Sequence, residues 1–463
     1  MISPLSHWTK RLTRLLQGDA LKARAARSAI WTIGSMAGSQ FLRLASNLIL
    51  TRLLFPEAFG MMALVQIFIT GLAMFSDIGI RASIIQNDRS DEPAFLNTAW
   101  TLQVFRGVML WLFACAIALP VAALYDEPML AQLLPVAGLT ALIGGFTPTR
   151  VNTANRDLVM GRITLIDIGT QAVGIVVMVI LAWLLQSVWA LVFGAILSAL
   201  IKQVLYMVLM PGHRNRLEID RSAMGELVHF GKWIFLSTAL GFMINHADRA
   251  ILGKFITLEM LGIYSIGFFL ASVPLLLAQP LASKIIFPLY KQRPPWESAD
   301  NQRKIFHMRW WLTGALLAIA AVLVLTGDLL VRFLYDTRYT LAGPILVLMV
   351  ISQLPLVILA SYDQILLAAG DSKRFMTRIA ITAFTRTALL ILGVMQFGLT
   401  GAILAPGLAA LLVYPVLISA VRRYDGWDPK HDMVYGAVAL VIAVAGLWVN
   451  QGAISDLITQ TAP

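Results

Sequence analysis

Three arginines fall near the middle of long apolar runs: Arg43, Arg106 and Arg386. An arginine at bilayer depth costs at least about 2.5–3.5 kcal/mol on insertion scales. An aqueous cavity or an anionic partner is the simplest offset. Helical spacing puts Ser39, Gln40, Ser46 and Asn47 on a stripe with Arg43, and Arg378, Thr382 and Thr385 on one face with Arg386. Thr98, Thr101 and Gln103 lie near Arg106. A lumen lined with such cations suits a phosphate or pyrophosphate, which a planar guanidinium can hold through paired hydrogen bonds. The competing reading of each is a structural arginine bonded to a helix C-terminus or to a buried acid.

A second set of titratable residues has a different use. Asp77 lies near the inner end of its span, as do Asp167 and Asp363. His246 is the only histidine well inside a span, and Asp248 and Arg249 follow it at the outer end. Adjacent helical residues do not face each other, so Asp248 is not simply paired with Arg249. Asp77, His246, Asp248 and Arg249 are the candidates for ion coupling or gating. For His246 a hydrogen-bonded structural role is the alternative. No nucleotide-binding loop, metal-ligand cluster or nucleophile motif stands out, so no catalytic residue, metal or cofactor is expected. Cys115 is the only cysteine and lies in an apolar run, which excludes a disulfide framework.

The elements that carry these residues follow from composition. Of 463 residues, 58% are hydrophobic and 13% charged, and the mean hydropathy is +0.77. A soluble domain carries about a quarter charged residues. Apolar runs of membrane-spanning length recur through the chain. They are continuous rather than alternating, which selects helices over a barrel. The expected spans are 29–54, 57–80, 94–123, 129–149, 163–185, 188–210, 227–252, 258–288, 305–326, 341–369, 375–397 and 400–421, with a thirteenth at 433–450. Prolines in the fourth, eighth, tenth and twelfth spans mark expected bends. The net charge of +11 is dispersed among connecting loops, so no nucleic-acid partner is expected. Lys and Arg concentrate on alternate loops, which places the N-terminus in the cytoplasm. No cleavable signal peptide is expected. Residues 1–28 read as a basic amphipathic segment on the cytoplasmic membrane surface, or as a basic tail.

A short motif occurs twice. Residues 49–64 (ILTRLLFPEAFGMMAL) align without a gap with residues 251–266 (ILGKFITLEMLGIYSI), matching Arg52 to Lys254, Glu57 to Glu259 and Gly60 to Gly262. Each copy reads as a helix ending on a base and a helix opening on an acid, as the helix dipole favours. Each sits at the first hairpin of a six-helix set. The expected architecture is an all-α polytopic membrane protein of two six-helix lobes in parallel repeat, plus an extra C-terminal helix. The N-lobe covers 29–210, a cytoplasmic linker 211–226, the C-lobe 227–421 and a C-terminal segment 422–463.

The ordered series TRLLFPEAFG, FSDIGIRASIIQ, NTAWTLQVFRG, NRDLVMGRITLIDI, SVWALVFGAI, HFGKWIF and ADRAILGKFITLEMLGIYSIGFFLASVP resembles the bacterial polysaccharide-type flippases. These belong to the multidrug/oligosaccharidyl-lipid/polysaccharide exporter superfamily. The resemblance covers most of residues 28–290. It implies a V-shaped bundle around a central cavity and a substrate of undecaprenyl-diphosphate-linked oligosaccharide. It also implies alternating access, often coupled to an ion gradient, in the bacterial inner membrane. The function so read is a flippase, not an enzyme, serving exopolysaccharide, capsule or O-antigen synthesis. Its partners are the lipid-linked oligosaccharide, the bilayer, and a polysaccharide polymerase and chain-length regulator. Rival readings are a drug/cation antiporter, which would want lone acids deep in a lobe, and a peptidoglycan-precursor flippase. A membrane glycan polymerase or ligase would need a substantial outer loop, and the expected loops are short.

Overall fold

The computed structural model describes residues 21–77, 79–157 and 159–461, and these are almost wholly helical. The basic segment expected over 1–28 lies, up to residue 20, outside the described residues. In chain order the helices of the first half are α1 (Leu21–Leu53), α2 (Pro56–Phe75), α3 (Ile80–Gln86), α4 (Pro93–Tyr125), α5 (Leu130–Gly145), α6 (Arg150–Arg156), α7 (Met160–Leu185) and α8 (Trp189–Leu209). There follow α9 (Arg221–Phe255), α10 (Leu258–Ala271), α11 (Val273–Leu281), α12 (Phe287–Gln292), α13 (Ala299–Leu334), α14 (Ala342–Leu359), α15 (Asp363–Ala368), α16 (Ser372–Val421), α17 (Pro429–Val449) and α18 (Gln451–Thr461).

All thirteen expected spans fall on helices. Nine helices among the described residues are long and apolar enough to cross a membrane, or up to ten if α5 and α6, bent by 62°, form one broken span. The difference from thirteen has physical causes. The expected spans 375–397 and 400–421 are joined as α16, which breaks at Gly398 (φ 57°, ψ −143°), a conformation open to glycine and strained for other residues. Beside the break, Gly393 and Gly401 face each other so closely that a Cβ on either would meet the other's carbonyl. The eighth expected span is segmented into α10, α11, a π-helical turn at Ala282–Ile286, and α12. Helices α11 and α12 each have a proline within the first two positions, where the missing N–H costs nothing. Helices α1 and α9 are long enough but carry the polar residues singled out above. Beyond the thirteenth span, α18 is an addition that hydropathy did not reveal; its Ile454 and Leu457 are buried.

The chain divides into two compact units: Met1–Leu54 with Phe68–Thr238, and Phe55–Ile67 with Ala239–Pro463. In the first, α4 packs on α5, α7 on α8, and α1 on α7. Residues 211–226 are fastened to this unit. Asn97 donates to Glu218 at 2.6 Å and accepts from the Arg216 backbone at 3.1 Å, while Asn215 accepts from the Thr149 backbone at 3.0 Å. Asn87 and Arg89 both donate to Glu226, at 2.9 and 2.8 Å, and together hold its carboxyl below the usual range.

The second unit is built around α14, the most buried of the spans, which packs against α10, α13, α16 and α17. It also contains the first turns of α2 beside α10. There the repeated motif meets its own copy. A Cβ on Gly60 would strike the Leu258 carbonyl, and one on Gly262 would strike the Pro56 carbonyl. Pro56 and Leu258 are themselves equivalent in the repeat, so the contact is reciprocal. Glu57 and Glu259 occupy the first turns of α2 and α10, and Arg52 and Lys254 the last turns of α1 and α9, as expected.

This crossing makes a stability prediction. Gly60→Ala or Gly262→Ala forces backbone apart and should cost about 1–3 kcal/mol, read as a lower Tm of the purified protein in detergent. Gly436→Ala, where a Cβ meets nothing within 4 Å, should not lower Tm. An unchanged Tm for both crossing variants would show that the contact is not close.

Candidate functional site

In the first unit the candidate residues lie on α1, α4 and the end of α2. Helix α4 carries Arg106, whose Nε donates to Ser76 Oγ at 2.9 Å and whose Nη2 donates to the Ala73 carbonyl. Ala73 and Ser76 belong to the C-terminal end of α2, where carbonyls lack helical partners and the dipole favours a cation. Asp77 follows at once. Its Oδ1 accepts from the Gly79 backbone at 2.9 Å, in a turn where Gly79 takes φ 66° and opens α3. Asp77 also acts on Arg106 through its charge. Two of the expected residues are thus brought together at one helix end.

The polar neighbours of Arg106 serve other purposes. Gln103 Nε2 reaches the carbonyls of Gly144, Gly145 and Thr147 at 3.1–3.3 Å, closing the end of α5. Thr98 Oγ1 accepts from the Asp220 backbone at 2.8 Å, and Thr101 Oγ1 donates to the Glu218 carbonyl at 3.0 Å. Their spacing signalled hydrogen bonding, and they spend it on the adjoining segment. Arg43 stands exposed on α1, with Ser46 buried one turn on.

In the second unit α9 and α10 build a denser cluster. Asp248 is only 4% exposed, and its Oδ2 accepts from the Tyr264 hydroxyl at 2.8 Å. Its Oδ1 is buried without a hydrogen-bond partner among the described residues. Arg249 turns to a different neighbour, its guanidinium 4.2 Å from the Phe268 ring centroid. Tyr264 and Phe268 are one turn apart on α10, so two adjacent residues of α9 engage two stacked residues of the next helix. His246 packs against Phe242 with the rings tilted by 32° and their centroids 5.5 Å apart, and lies within the electrostatic reach of Asp248 and Arg249. Half-buried Arg386 on α16 acts on Tyr264 through its charge. Arg378, on the same face of α16, is instead paired with Asp363 at 2.6 Å.

The cluster combines a buried carboxylate, a tyrosine hydroxyl and two guanidinium groups. The orphaned Oδ1 is an acceptor in want of a donor, the kind of group that a proton or bound solute satisfies. Sequence reasoning placed Asp248 and Arg249 among the candidates but missed Tyr264, since tyrosine in an apolar helix reads as core. It also missed Arg309, which is fully buried. Arg309 donates to the Gly426 carbonyl at 2.8 Å and to the Tyr290 hydroxyl, and lies over the Tyr362 ring at 4.1 Å. Its place near a span end concealed it.

Residues 49–344 match the family described as polysaccharide biosynthesis protein. The chain is 22% identical over 295 residues to the teichuronic acid biosynthesis protein TuaB of Bacillus subtilis, covering 64% of this chain and 61% of that one. It is 23% identical over 335 residues to the succinoglycan biosynthesis transport protein ExoT of Rhizobium meliloti, covering 71% and 66%. It is 20% identical over 276 residues to the lipopolysaccharide biosynthesis protein WzxC of Escherichia coli, covering 58% and 55%. The chain therefore spans between half and two thirds of the length of these relatives. Among solved structures, the lipid II flippase MurJ in an inward closed conformation superposes with a TM-score of 0.63 at 12% identity, covering 94% of this chain and 99% of that one. An inward-facing multidrug resistance transporter of the MATE family gives 0.62 at 14% identity, covering 83% and 96%. At such identities the likeness is one of fold alone. The chain belongs to the polysaccharide biosynthesis protein family, and is a multi-pass helical membrane protein with the fold of the multidrug/oligosaccharidyl-lipid/polysaccharide exporter superfamily.

Proposed function

We propose that the chain moves undecaprenyl-diphosphate-linked oligosaccharide repeat units across the bacterial inner membrane by alternating access, for exopolysaccharide, capsule or O-antigen synthesis. The observation that carries this reading is the presence of Arg43 and Arg386 on helices α1 and α16, in a family named for polysaccharide biosynthesis. Guanidinium groups on such helices suit a diphosphate, which each can hold through charge-assisted hydrogen bonds. Two donors of Arg106 are committed to the end of α2, and we assign it to positioning as well as to charge. Asp248, with His246, Arg249 and Asp77, is kept for coupling or gating. The sugars would cross through water while the polyprenyl tail stays in lipid. A polymerase and a chain-length regulator would take the unit onward.

The arginines supply the test. Each hydrogen-bonded guanidinium should contribute roughly 1.5–3 kcal/mol to holding a diphosphate, which corresponds to about 10–100-fold in affinity or transport. Arg43→Ala and Arg386→Ala should lower export by that factor in a deletion strain, normalised to protein in the membrane. Lysine should restore part of it, keeping the charge without the planar fork. Arg106→Ala should in addition lower the amount of folded protein, since Ser76 and Ala73 lose their donor. Parental export by Arg43→Ala and Arg386→Ala at limiting expression would remove the cationic mechanism.

The proposed orientation has its own check. In a Cys115→Ala background, Arg214→Cys and Glu297→Cys should react only with membrane-permeant thiol reagents in intact cells. Thr337→Cys should react with impermeant ones. All three positions are exposed. Labelling of Glu297→Cys by an impermeant reagent would invert the topology.

A further inference from the structure

The stretch between α8 and α9 is not a free linker. Residues 211–221 run along the first turns of α4, and their side chains sort by direction. Inward, His213 Nε2 lies 2.7 Å from Asn97 Oδ1, Asn215 Nδ2 donates to the Leu96 carbonyl at 3.3 Å, and Glu218 Oε2 accepts from Asn97. Asp220 turns back on its own chain, where its Oδ1 accepts from the Ser222 backbone at 3.1 Å. Beyond it, Ala223 and Leu227 are buried with Ile80, Ile84 and Phe95. Outward stand Arg214, Arg216, Leu217, Ile219 and Arg221, all exposed. Both acids are thus taken up by the protein, and the outer side keeps three bases and two large apolar groups. Leu217 and Ile219 are 73% and 59% exposed, a cost if water covers them. Arg89 and Arg156, on neighbouring elements, are paired with acids. Arg214, Arg216 and Arg221 have no acid partner among the described residues, and Arg214 lies instead within the electrostatic reach of Arg150.

The depth of this strap follows from its bonds to α4. The Glu218 N–H donates to Thr101 Oγ1 at 3.0 Å, and Thr101 lies about 12 Å along α4 from Pro93. Helix α4 has 33 residues. That is a length of about 50 Å, against about 30 Å of hydrocarbon. Shared between the two ends, the surplus is about 10 Å at each. The turn of the strap at Glu218 therefore lies at the boundary between headgroups and acyl chains. The same face of α4 continues with Phe105 and Met109, one and two turns past Thr101, and both are exposed. The apolar tip of the strap thus begins a lipid-facing stripe. At the far end of the strap, Arg221 and Ser222 line a cavity of about 750 Å³ with Ser83, Gln86 and Asn87. Glu226, the acid of that lining, is already bonded to Asn87 and Arg89. A phosphate there would meet Arg221 without meeting a free carboxylate. A soluble acidic protein would suit the arginines, but it would leave Leu217 and Ile219 at the level of the lipid.

We infer that residues 214–221 are a lipid-recognition element of the inner leaflet. Leu217 and Ile219 enter the headgroup–acyl boundary, and Arg214, Arg216 and Arg221 bind the phosphates of anionic lipids. The choice of leaflet rests on the orientation proposed above; the contact with lipid does not. Lipid bound here holds the connection from α8 to α9 against α4.

Two measurements on the full chain test this. In a Cys115→Ala background, spin labels at Leu217→Cys and Ile219→Cys are read in vesicles of phosphatidylcholine and phosphatidylglycerol. They should be more accessible to dissolved oxygen than to a water-soluble nickel chelate, and a label at Glu297→Cys should show the reverse. Equal lipid in both leaflets makes the reading independent of the direction of insertion. Native mass spectrometry of detergent-solubilised protein titrated with phosphatidylglycerol gives the second measurement. Each base near an anionic surface contributes about fivefold in affinity, so the triple variant Arg214→Gln, Arg216→Gln, Arg221→Gln should bind at least about tenfold more weakly than the parent. Its Tm without lipid should match the parent's, because none of the three side chains is bonded within the fold. Labels at Leu217→Cys and Ile219→Cys as open to the nickel chelate as the one at Glu297→Cys would place the strap in water and overturn the proposal. Labels closed to both reagents would show a protein cover instead of lipid, and would overturn it too. So would phosphatidylglycerol binding unchanged in the triple variant. No readout here involves export, so the transport reading can fail while this element stands.

Discussion

A charge carried into hydrocarbon must find a partner inside the protein, and much of this molecule is arranged to provide one. Where the partners are complete, the result is an anchor. Asp432 at the start of α17 accepts from Tyr362, Tyr414 and Trp427 at 2.6–3.2 Å, and neighbouring His431 bonds Thr313 at 3.0 Å. These bonds tie α17 to α13, α16 and the end of α14; Arg309 adds to the tie through the Gly426 carbonyl and the Tyr290 hydroxyl, while its buried Nε has no hydrogen-bond partner among the described residues. Such a network leaves little for a ligand to do, and removing one member leaves a buried group unsatisfied. Where the partners are incomplete, the site is open to function. Among the described residues Asp248 keeps an oxygen without a donor, and Asp167 receives Tyr206 and Lys202 on one oxygen.

Close helix packing is the second organising feature, and it depends on glycine. Without an apolar driving force between helices in lipid, contact is improved by letting backbones approach. Gly107 and Gly145 do this for α4 and α5, Gly174 and Ser198 for α7 and α8, and Gly60 and Gly262 for α2 and α10. The last pair is distinctive because the two helices are copies of one motif. Each glycine accommodates the carbonyl that opens the other's helix, so a substitution at either position disturbs the same crossing. Large side chains such as Leu119 and Phe333 are left outward, 73% and 83% exposed, as an apolar exterior requires.

The two features meet in how charge is distributed among helices. The apolar majority of α4, α7 and α8 supports membrane insertion and leaves room for single polar intrusions: Arg106, Asp167 and Lys202. The intrusion in α4 is consumed at the end of α2. Those in α7 and α8 meet each other beside a cavity. A charge in an apolar helix thus takes a different role according to whether a helix end or an opposite charge lies within reach.

Composition and hydropathy alone determined the all-helical membrane class, the apolar stretches that fall on helices, the prolines that segment the eighth expected span and the repeated hairpin with its acid and base. These are legible because length, apolarity and helix-end chemistry are local along the chain. Arg43, Arg106 and Arg386 were legible too, since a base in an apolar run is visible without a structure. Tertiary structure alone decided what each charge touches. Sequence spacing could not pair Arg106 with α2, Asp248 with Tyr264, or Asp167 with Lys202, because the members of each pair belong to different helices. Nor could it divide α2 and α9 between compact units, or bring Gly60 to Leu258. Which atoms meet depends on the rotation and depth of each helix against its neighbours, and no local pattern encodes those.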